Sequence, residues 1–286
     1  MRSPIACLFI CLLGMNANEV RAEDGITVMS YNIRYLNTRD GEDVWDNRKE
    51  AVIETFEAGF IVGLQEVVWK QFDDIKSGTP KFEWYGVARD DGKQKGESAP
   101  IGWLKKQFSC VDKGTFWLSD TPDIVGSKGW DAALPRIATW VRLLNHSSNQ
   151  EWVIINTHFD HRGAEARKKS GELIRKWVVE KAKGLPVVVM GDMNAKLGSA
   201  PMNALLEGKQ RILEDARSRQ GVNDKGPNST WSGFREIVEG QRIDHILVSP
   251  NVEVVEFETM NPKTKSGRFA SDHLPVWSWI KRAEKK

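Results

Sequence analysis

The segment from Leu185 to Asn194 sets the strongest constraint on how this chain can fold. Residues 187–190 are four consecutive apolar residues, three of them β-branched, which predicts a short strand buried on both faces. The strand is predicted to stop at Gly191, and Asp192 and Asn194 follow at alternate positions, so both side chains leave the sheet edge on the same side. A carboxylate beside an amide at such an edge can hold and activate a water. An ordinary Asx turn is the alternative interpretation.

The first 22 residues have the pattern of a secretory signal peptide. A positive charge at Arg2 precedes an apolar run over residues 5–15, and cleavage is predicted after Ala22. That run is too short to span a bilayer, and Ile10 stands where a lipoprotein signal needs a small residue before Cys11. We therefore expect a secreted or periplasmic protein with no membrane span.

Composition indicates one globular domain over residues 23–286. The chain has 286 residues, 40% hydrophobic and 28% charged, which excludes a disordered or fibrous protein. Only Cys110 remains after removal of the signal peptide, so no internal disulfide can form. With 41 basic against 39 acidic residues, the chain lacks the strong basic character of a dedicated duplex-DNA binder. We expect a monomer.

Short strands dominate the predicted secondary structure. Helices are predicted over 45–58, 164–182 and 202–206, and strands over 26–31, 60–64, 82–87, 101–104, 108–118, 136–143, 152–157, 185–190, 242–248, 252–257 and 273–280. Many short strands with few helices favour an α/β fold, namely a four-layer sandwich of two stacked mixed β-sheets flanked by helices. A parallel doubly wound sheet would need more helices.

A set of polar residues interrupts the ends of these strands. Its members are Asn32, Glu66, His158, Asp192, Asn194, Asp244, Asp272 and His273. Because one antiparallel strand ends where its neighbour begins, all of them can converge on one edge. The oxygen donors Asn32, Glu66 and Asp272 suit Mg²⁺ or Mn²⁺. Asp192 could activate a water, and His273 could be held by Asp244. This set is suited to phosphoester hydrolysis.

Six of the motifs that contain these residues carry a family resemblance. Segments 32–34, 65–66, 157–158, 191–194, 243–245 and 271–273 resemble, in order, the motifs of the endonuclease/exonuclease/phosphatase superfamily. Segments 89–92, 114–119 and 126–131 resemble its secreted bacterial branch, which is related to the nocturnin-type deadenylases. The resemblance covers nearly the whole mature chain. It implies a deoxyribonuclease-like two-sheet sandwich and divalent-metal-dependent phosphoester cleavage.

The resemblance also implies a role for each residue. Glu66 matches a metal-binding glutamate, and Asn32 matches an asparagine of the metal or phosphate site. Asp192 and Asn194 match the pair that activates the water, and Asp244 matches the acid that supports His273. His158 matches an imidazole that contacts the phosphate or acts as general acid. Two departures argue against a repair nuclease. Abasic-site nucleases carry an acid where this chain has Arg34, and Trp103 lies roughly where those enzymes place a tyrosine.

The substrate is less constrained than the reaction. Arg89 and Arg136 are predicted to contact substrate phosphate, and Trp130 to stack on a base or sugar. A small or lipid-type phosphoester is the expected substrate, and a single-strand or non-specific nuclease is the alternative. A non-catalytic module that binds glycans or polyanions is a further alternative, suggested by the 12 Trp residues.

A zinc site is another alternative. Residues 156–161 resemble the metallo-β-lactamase signature, with Asn156 in place of its first histidine. Zinc needs imidazole or thiolate donors, and few remain in this chain.

Overall fold

The computed structural model describes residues 25–283. The predicted signal peptide and its cleavage point after Ala22 lie outside the described residues. Within 25–283, none of the helices combines the length and apolar character needed to cross a lipid bilayer.

The strands of the described chain form two sheets, as predicted. They are β1 (Ile26–Asn32), β2 (Ile61–Gln65), β3 (Phe82–Tyr85), β4 (Ile101–Leu104), β5 (Phe108–Trp117), β6 (Ile137–Asn145), β7 (Gln150–His158), β8 (Val187–Asp192), β9 (Glu214–Asp215), β10 (Asn223–Lys225), β11 (Asp244–Val248), β12 (Val252–Thr259) and β13 (Val276–Arg282). One sheet has the order β10-β12-β13-β1-β2-β4-β3, and the other has the order β5-β6-β7-β8-β11-β9. Both are mixed: β1 runs parallel to β2 and antiparallel to β13, and β8 runs parallel to β7 and antiparallel to β11. The predicted β6–β7 hairpin is confirmed.

Helices cover the outer face of each sheet. They are α1 (Trp45–Thr55), α2 (Trp69–Gly78), α3 (Ala164–Lys181) and α4 (Ala200–Leu206), and a short 3-10 turn over Phe56–Ala58 extends α1. α1 and α2 pack through Val52 and Ile75 on the first sheet. α3 and α4 pack through Ile174 and Leu205 on the second. The helices and the two sheets between them therefore form the predicted four-layer sandwich.

The continuous apolar run of β8 is buried on both faces. Val188 and Met190 pack between the sheets, whereas Val187 and Val189 pack under α3. β8 does not stop at Gly191 as predicted, because its pairing with β7 continues to Asp192 opposite His158. At Gly191 a Cβ atom would lie 2.0 Å from the Thr157 carbonyl oxygen, so only glycine allows this pairing to continue.

Candidate active site

The end of β1 in one sheet meets the end of β8 in the other. The Asn32 side-chain nitrogen donates to Glu66 Oε1 and to Asp192 Oδ2, both at 3.0 Å. Asn32 is fully buried. One amide therefore hydrogen-bonds to a carboxylate from each sheet, and this contact links the two sheets at the edge where the site residues were predicted to meet.

Backbone strain accumulates around this contact. Arg34, Glu66 and Asn194 adopt left-handed backbone conformations, with φ of 58°, 63° and 46°. Such conformations cost non-glycine residues on the order of 1–3 kcal/mol each and cluster at functional sites. Local hydrogen bonds hold the Glu66 and Asp192 carboxylates: Tyr35 N–H donates to Glu66 Oε2, and Asn194 N–H donates to Asp192 Oδ1.

His273 and Asp244 form a buried pair beside Asp192. His273 Nδ1 lies 2.9 Å from Asp244 Oδ2, and His273 Nε2 lies 3.8 Å from Asp192 Oδ2. Burial alone would lower the pKa of His273, but the carboxylates of Asp244 and Asp192 outweigh it and raise that pKa well above its ordinary value. Burial, followed by repulsion from Asp244, raises the pKa of Asp192 to about 7. The pair therefore places a charged imidazole next to a carboxylate of unusually high basicity.

His158 lies on the other side of Asp192, with Nε2 at 3.5 Å from Asp192 Oδ2. The Asn194 side-chain nitrogen contacts both His158 Nε2 and the Phe159 carbonyl oxygen at 3.1 Å. The amide uses one proton for each contact, so His158 Nε2 accepts and Nδ1 carries the imidazole proton. Burial, then the charges of Arg136 and Arg89, lower the pKa of His158. The role of His158 as a phosphate-contacting imidazole or general acid stays a prediction.

Glu66 and Asp272 lie on the remaining side. Burial, together with repulsion from Glu66, raises the pKa of Asp272, and Arg34 Nη1 lies 3.8 Å from Asp272 Oδ2. Arg34 therefore places a guanidinium beside the Asp272 carboxylate. The half-buried Glu66 and the buried Asp272 and Asp192 offer carboxylate oxygens, which are the donors that suit a hard divalent cation.

A second arrangement could also hold a metal ion. Among residues 25–283, ligand atoms of Asp192, Asp244 and His273 lie within 4.8 Å of one another. The role of Asn32 as a ligand stays a prediction. Its nitrogen serves two carboxylates and its oxygen already accepts the Arg34 N–H at 3.0 Å, which leaves one lone pair for an ion.

Two of the three predicted substrate contacts lie beside His158. Arg89 forms a bidentate ion pair with Glu97 at 2.8 and 3.0 Å, and Glu97 Oε2 lies 4.0 Å from His158 Nδ1. Arg136 contacts Asp160 at 3.4 Å. Trp130 is half-buried and donates its indole N–H to Asp120. No contact of the described chain joins Trp130 to the other site residues.

Three residues of this region were missed by the sequence analysis. Ser271 Oγ donates to the Asn32 carbonyl oxygen at 2.8 Å, and Glu97 pairs with Arg89. Trp231 lies opposite His273 in an antiparallel bridge with backbone hydrogen bonds on either side. Side chains of such a pair lie on the same face, so the 36% exposed Trp231 lies at the rim next to His273. In the sequence, the one feature that could have pointed to Trp231 is a large aromatic residue within the Ser- and Gly-containing segment 229–233.

A buried ion-pair cluster supports the loop after Asn194. His245 Nε2 lies 3.0 Å from the Ala195 carbonyl oxygen, and Arg242 Nη2 lies 2.8 Å from Asp215 Oδ2. Burial would raise the pKa of Asp215, but its hydrogen bond with His245 and the charge of Arg242 hold that pKa well below its ordinary value.

We expect Asp215→Asn to lower the free energy of unfolding by about 3–5 kcal/mol at pH 7, because it leaves a buried positive charge unpaired. A depressed carboxyl pKa stabilises the fold above the unfolded pKa of about 4, and this contribution is lost as pH falls below it. In urea unfolding, the difference from wild type should therefore shrink below about pH 4. Asp73→Asn, at the exposed pair with Lys76, is the control and should cost about 1 kcal/mol or less. Equal stability of wild type and Asp215→Asn would contradict the expectation.

Comparison with known proteins establishes the family. A model of the Endonuclease/Exonuclease/phosphatase family matches residues 29–273. The chain belongs to this family. The structure is similar to that of a family member from Bacteroides vulgatus, with 34% identity, a TM-score of 0.85 and coverage of 90% of this chain and 98% of that one.

Two further structures extend the comparison. A Bacteroides thetaiotaomicron mannosyl-6-phosphatase has 34% identity and a TM-score of 0.81, with coverage of 89% of this chain and 99% of that one. The human Nocturnin catalytic domain has 19% identity, a TM-score of 0.68 and coverage of 91% and 94%, so it shares the fold. No curated protein matches the sequence. The family membership and the fold predicted from the motifs are confirmed.

Proposed function

We propose that this protein is a phosphoesterase that depends on Mg²⁺ or Mn²⁺ and hydrolyses small phosphate esters with an activated water. The observation that carries the proposal is the position of Asp192. This buried carboxylate is hydrogen-bonded to Asn32 at 3.0 Å and lies 3.8 Å from the charged His273. Family membership supports a hydrolase rather than a non-catalytic binding module.

Each site residue has a separate role in the proposed hydrolysis. Asp192 accepts a proton from the attacking water, and its pKa of about 7 makes it an effective base near neutral pH. Asn194 and Asn32 fix the orientation of its carboxylate. Asp244 keeps His273 protonated and oriented, so that the Nε2–H can donate to a phosphoryl oxygen as negative charge develops there.

A divalent ion would be held by Glu66 and Asp272, with Asn32 orienting Glu66 or adding its remaining oxygen lone pair. When bound, such an ion neutralises phosphate charge and stabilises the leaving oxygen. The carboxylates of the region fit this role, since a bound cation would offset the burial and the repulsion from Glu66 that raise the pKa of Asp272.

A small phosphomonoester is the substrate we favour over nucleic acid. Support comes from the similarity to the mannosyl-6-phosphatase at 34% identity, whereas the likeness to Nocturnin reaches only the fold. The near-neutral charge balance of the chain points in the same direction.

EDTA is expected to abolish hydrolysis, and added Mg²⁺ or Mn²⁺ to restore it. The measurement is release of alcohol or phosphate from a panel of substrates: p-nitrophenyl phosphate, bis-p-nitrophenyl phosphate, hexose phosphates, a phospholipid headgroup ester, and single-stranded RNA and DNA. Glu66→Gln should raise the metal concentration needed for half-maximal activity about 10-fold or more, since it removes an anionic ligand. Activity that survives exhaustive chelation, or absence of activity on the whole panel, would overturn the proposal.

We also propose that the protein is exported, for which the N-terminal sequence pattern is the support. Protein purified from its natural source should then begin at Glu23 on N-terminal sequencing. A chain that retains Met1 or Arg2 would contradict this.

A further inference from the structure

A narrow cleft adjoins His158 on the side facing away from Asp192. It is lined by Arg89, Glu97, Ser98, Ala99, Arg136, Ile137 and His158. Because Nε2 of His158 faces Asp192 and Asn194 while Nδ1 faces Glu97, the cleft lies only one imidazole ring away from the catalytic carboxylates. A substrate whose phosphate reaches Asp192 can therefore extend a neighbouring group toward the cleft.

Three side chains of the cleft carry buried nitrogens without a hydrogen-bond partner. They are Arg89 Nε, Arg136 Nη1 and His158 Nδ1. Arg89, Arg136 and His158 are each more than nine-tenths buried. All three nitrogens are donors, since the Asn194 contact places the proton of His158 on Nδ1. A buried donor without a partner costs about 1–3 kcal/mol, so these groups favour a ligand that accepts hydrogen bonds.

Size and charge decide the kind of ligand. The cleft leaves about 10 Å³ for the centre of a water-sized group, roughly the space of one water and too little for a second phosphate. The two guanidiniums are already balanced, Arg89 by Glu97 and Arg136 by Asp160, so the cleft has no excess positive charge to bind an anion. A hydroxyl group fits both constraints, because it accepts from the N–H donors and donates to Glu97.

We propose that this cleft is a specificity subsite that binds one hydroxyl of the substrate's alcohol portion, through Arg89, Arg136, His158 and Glu97. The substrate class is then a phosphate ester of a polyhydroxylated skeleton, such as a sugar phosphate. The inference rests on the proposed phosphoesterase activity and adds the group that distinguishes one ester from another. A site built to hydrogen-bond a hydroxyl discriminates strongly against the analogue without it, because its own polar groups are then left unpaired.

The first test uses the wild-type protein with Mg²⁺. Glucose, mannose and galactose 6-phosphates are compared with hexyl phosphate and with the monodeoxy analogues of the best hexose phosphate. We expect kcat/KM for that hexose phosphate to exceed the hexyl phosphate value at least 30-fold. We also expect one monodeoxy analogue to show most of this loss. Equal kcat/KM across the series would overturn the subsite, since the cleft would then hold only a water.

The second test links the discrimination to the cleft. Glu97→Gln and Arg136→Gln should reduce the hexose-to-hexyl ratio at least tenfold, and Arg142→Gln should leave it unchanged. Arg142 is a matched control because it lies on β6 after Arg136, with a 38% exposed side chain paired to Glu151. Retention of the ratio in both cleft variants, with urea unfolding midpoints like wild type, would overturn the assignment. Preference for hexose bisphosphates over monophosphates that is lost in Arg136→Gln would show a second-anion site instead, which also overturns it.

A binding measurement separates this inference from the proposed function. Isothermal titration of the Asp192→Asn protein should show tighter binding of the best hexose phosphate than of its critical deoxy analogue, by at least tenfold. If wild type hydrolyses none of the esters, the proposed function fails, and titration of glucose 6-phosphate and its deoxy analogues still tests the subsite. Equal binding of those ligands would overturn it.

Discussion

Asp192→Asn is expected to lower kcat about a thousandfold on any phosphoester that the wild-type protein hydrolyses. The reason is that the Asp192 carboxylate accepts the proton of the attacking water, and an amide cannot. Two groups orient the carboxylate, the Asn32 amide at 3.0 Å and the Asn194 N–H at 2.9 Å. Asparagine keeps the shape of the side chain and one acceptor oxygen, so the substrate should still bind and KM should change much less than kcat.

Stability distinguishes this outcome from simple misfolding. Burial and the neighbouring Asp244 raise the pKa of Asp192, which means that the folded protein holds the charged form at a cost. In EDTA near pH 8, the Asp192→Asn protein should therefore unfold at an equal or higher urea concentration than wild type. Asp73→Asn, on the exposed side of α2, is the control and should change neither kcat nor stability appreciably. A kcat within tenfold of wild type for Asp192→Asn would contradict the proposed base.

The layers of the sandwich were predictable because burial leaves a pattern in the sequence. The apolar side chains of residues 187–190 point to both faces of the strand, so they are all buried only if the strand lies between two apolar layers. In the structure these layers pack on opposite faces of β8. α2 was missed although Phe72 and Ile75 have helical spacing, because a helix of only ten residues leaves few apolar positions to define a period. The last strand begins at Val276, so Asp272 and His273 lie in the loop before it.

The set of catalytic candidates was predictable for a different reason. Strand ends of a mixed sheet meet at a common edge, and polar residues at those ends stand out against the buried strands. Glu97 could not be placed in the same way. Its position depends on Ser98, which bridges both Val67 and Ala88 and so folds a long Gly-rich loop back toward His158. Pairing between residues far apart in the chain leaves no repeating pattern in the sequence, so it could not be predicted. The same holds for the bridge that places Trp231 beside His273.

The second large effect is expected at the His273–Asp244 pair. Asp244→Asn and His273→Gln should each lower kcat by about 10²–10⁴-fold. Asp244 receives the Nδ1–H of His273 at 2.9 Å, and its charge, together with that of Asp192, outweighs burial and raises the pKa of the imidazole. Without Asp244, the pKa of the buried His273 falls and its ring loses the partner that orients it, and without His273 no Nε2–H would face the phosphoryl oxygen.

The decisive measurement is the double variant, Asp244→Asn with His273→Gln. Groups that act as one unit give non-additive losses, so the double variant should be no slower than the worse single variant, within about threefold. His146→Gln is the control, since His146 lies in an exposed turn bonded to Ser109 and the Lys106 carbonyl oxygen. If the two losses multiplied instead, Asp244 would act independently of His273, and its proposed role as the residue that orients and charges this imidazole would be wrong.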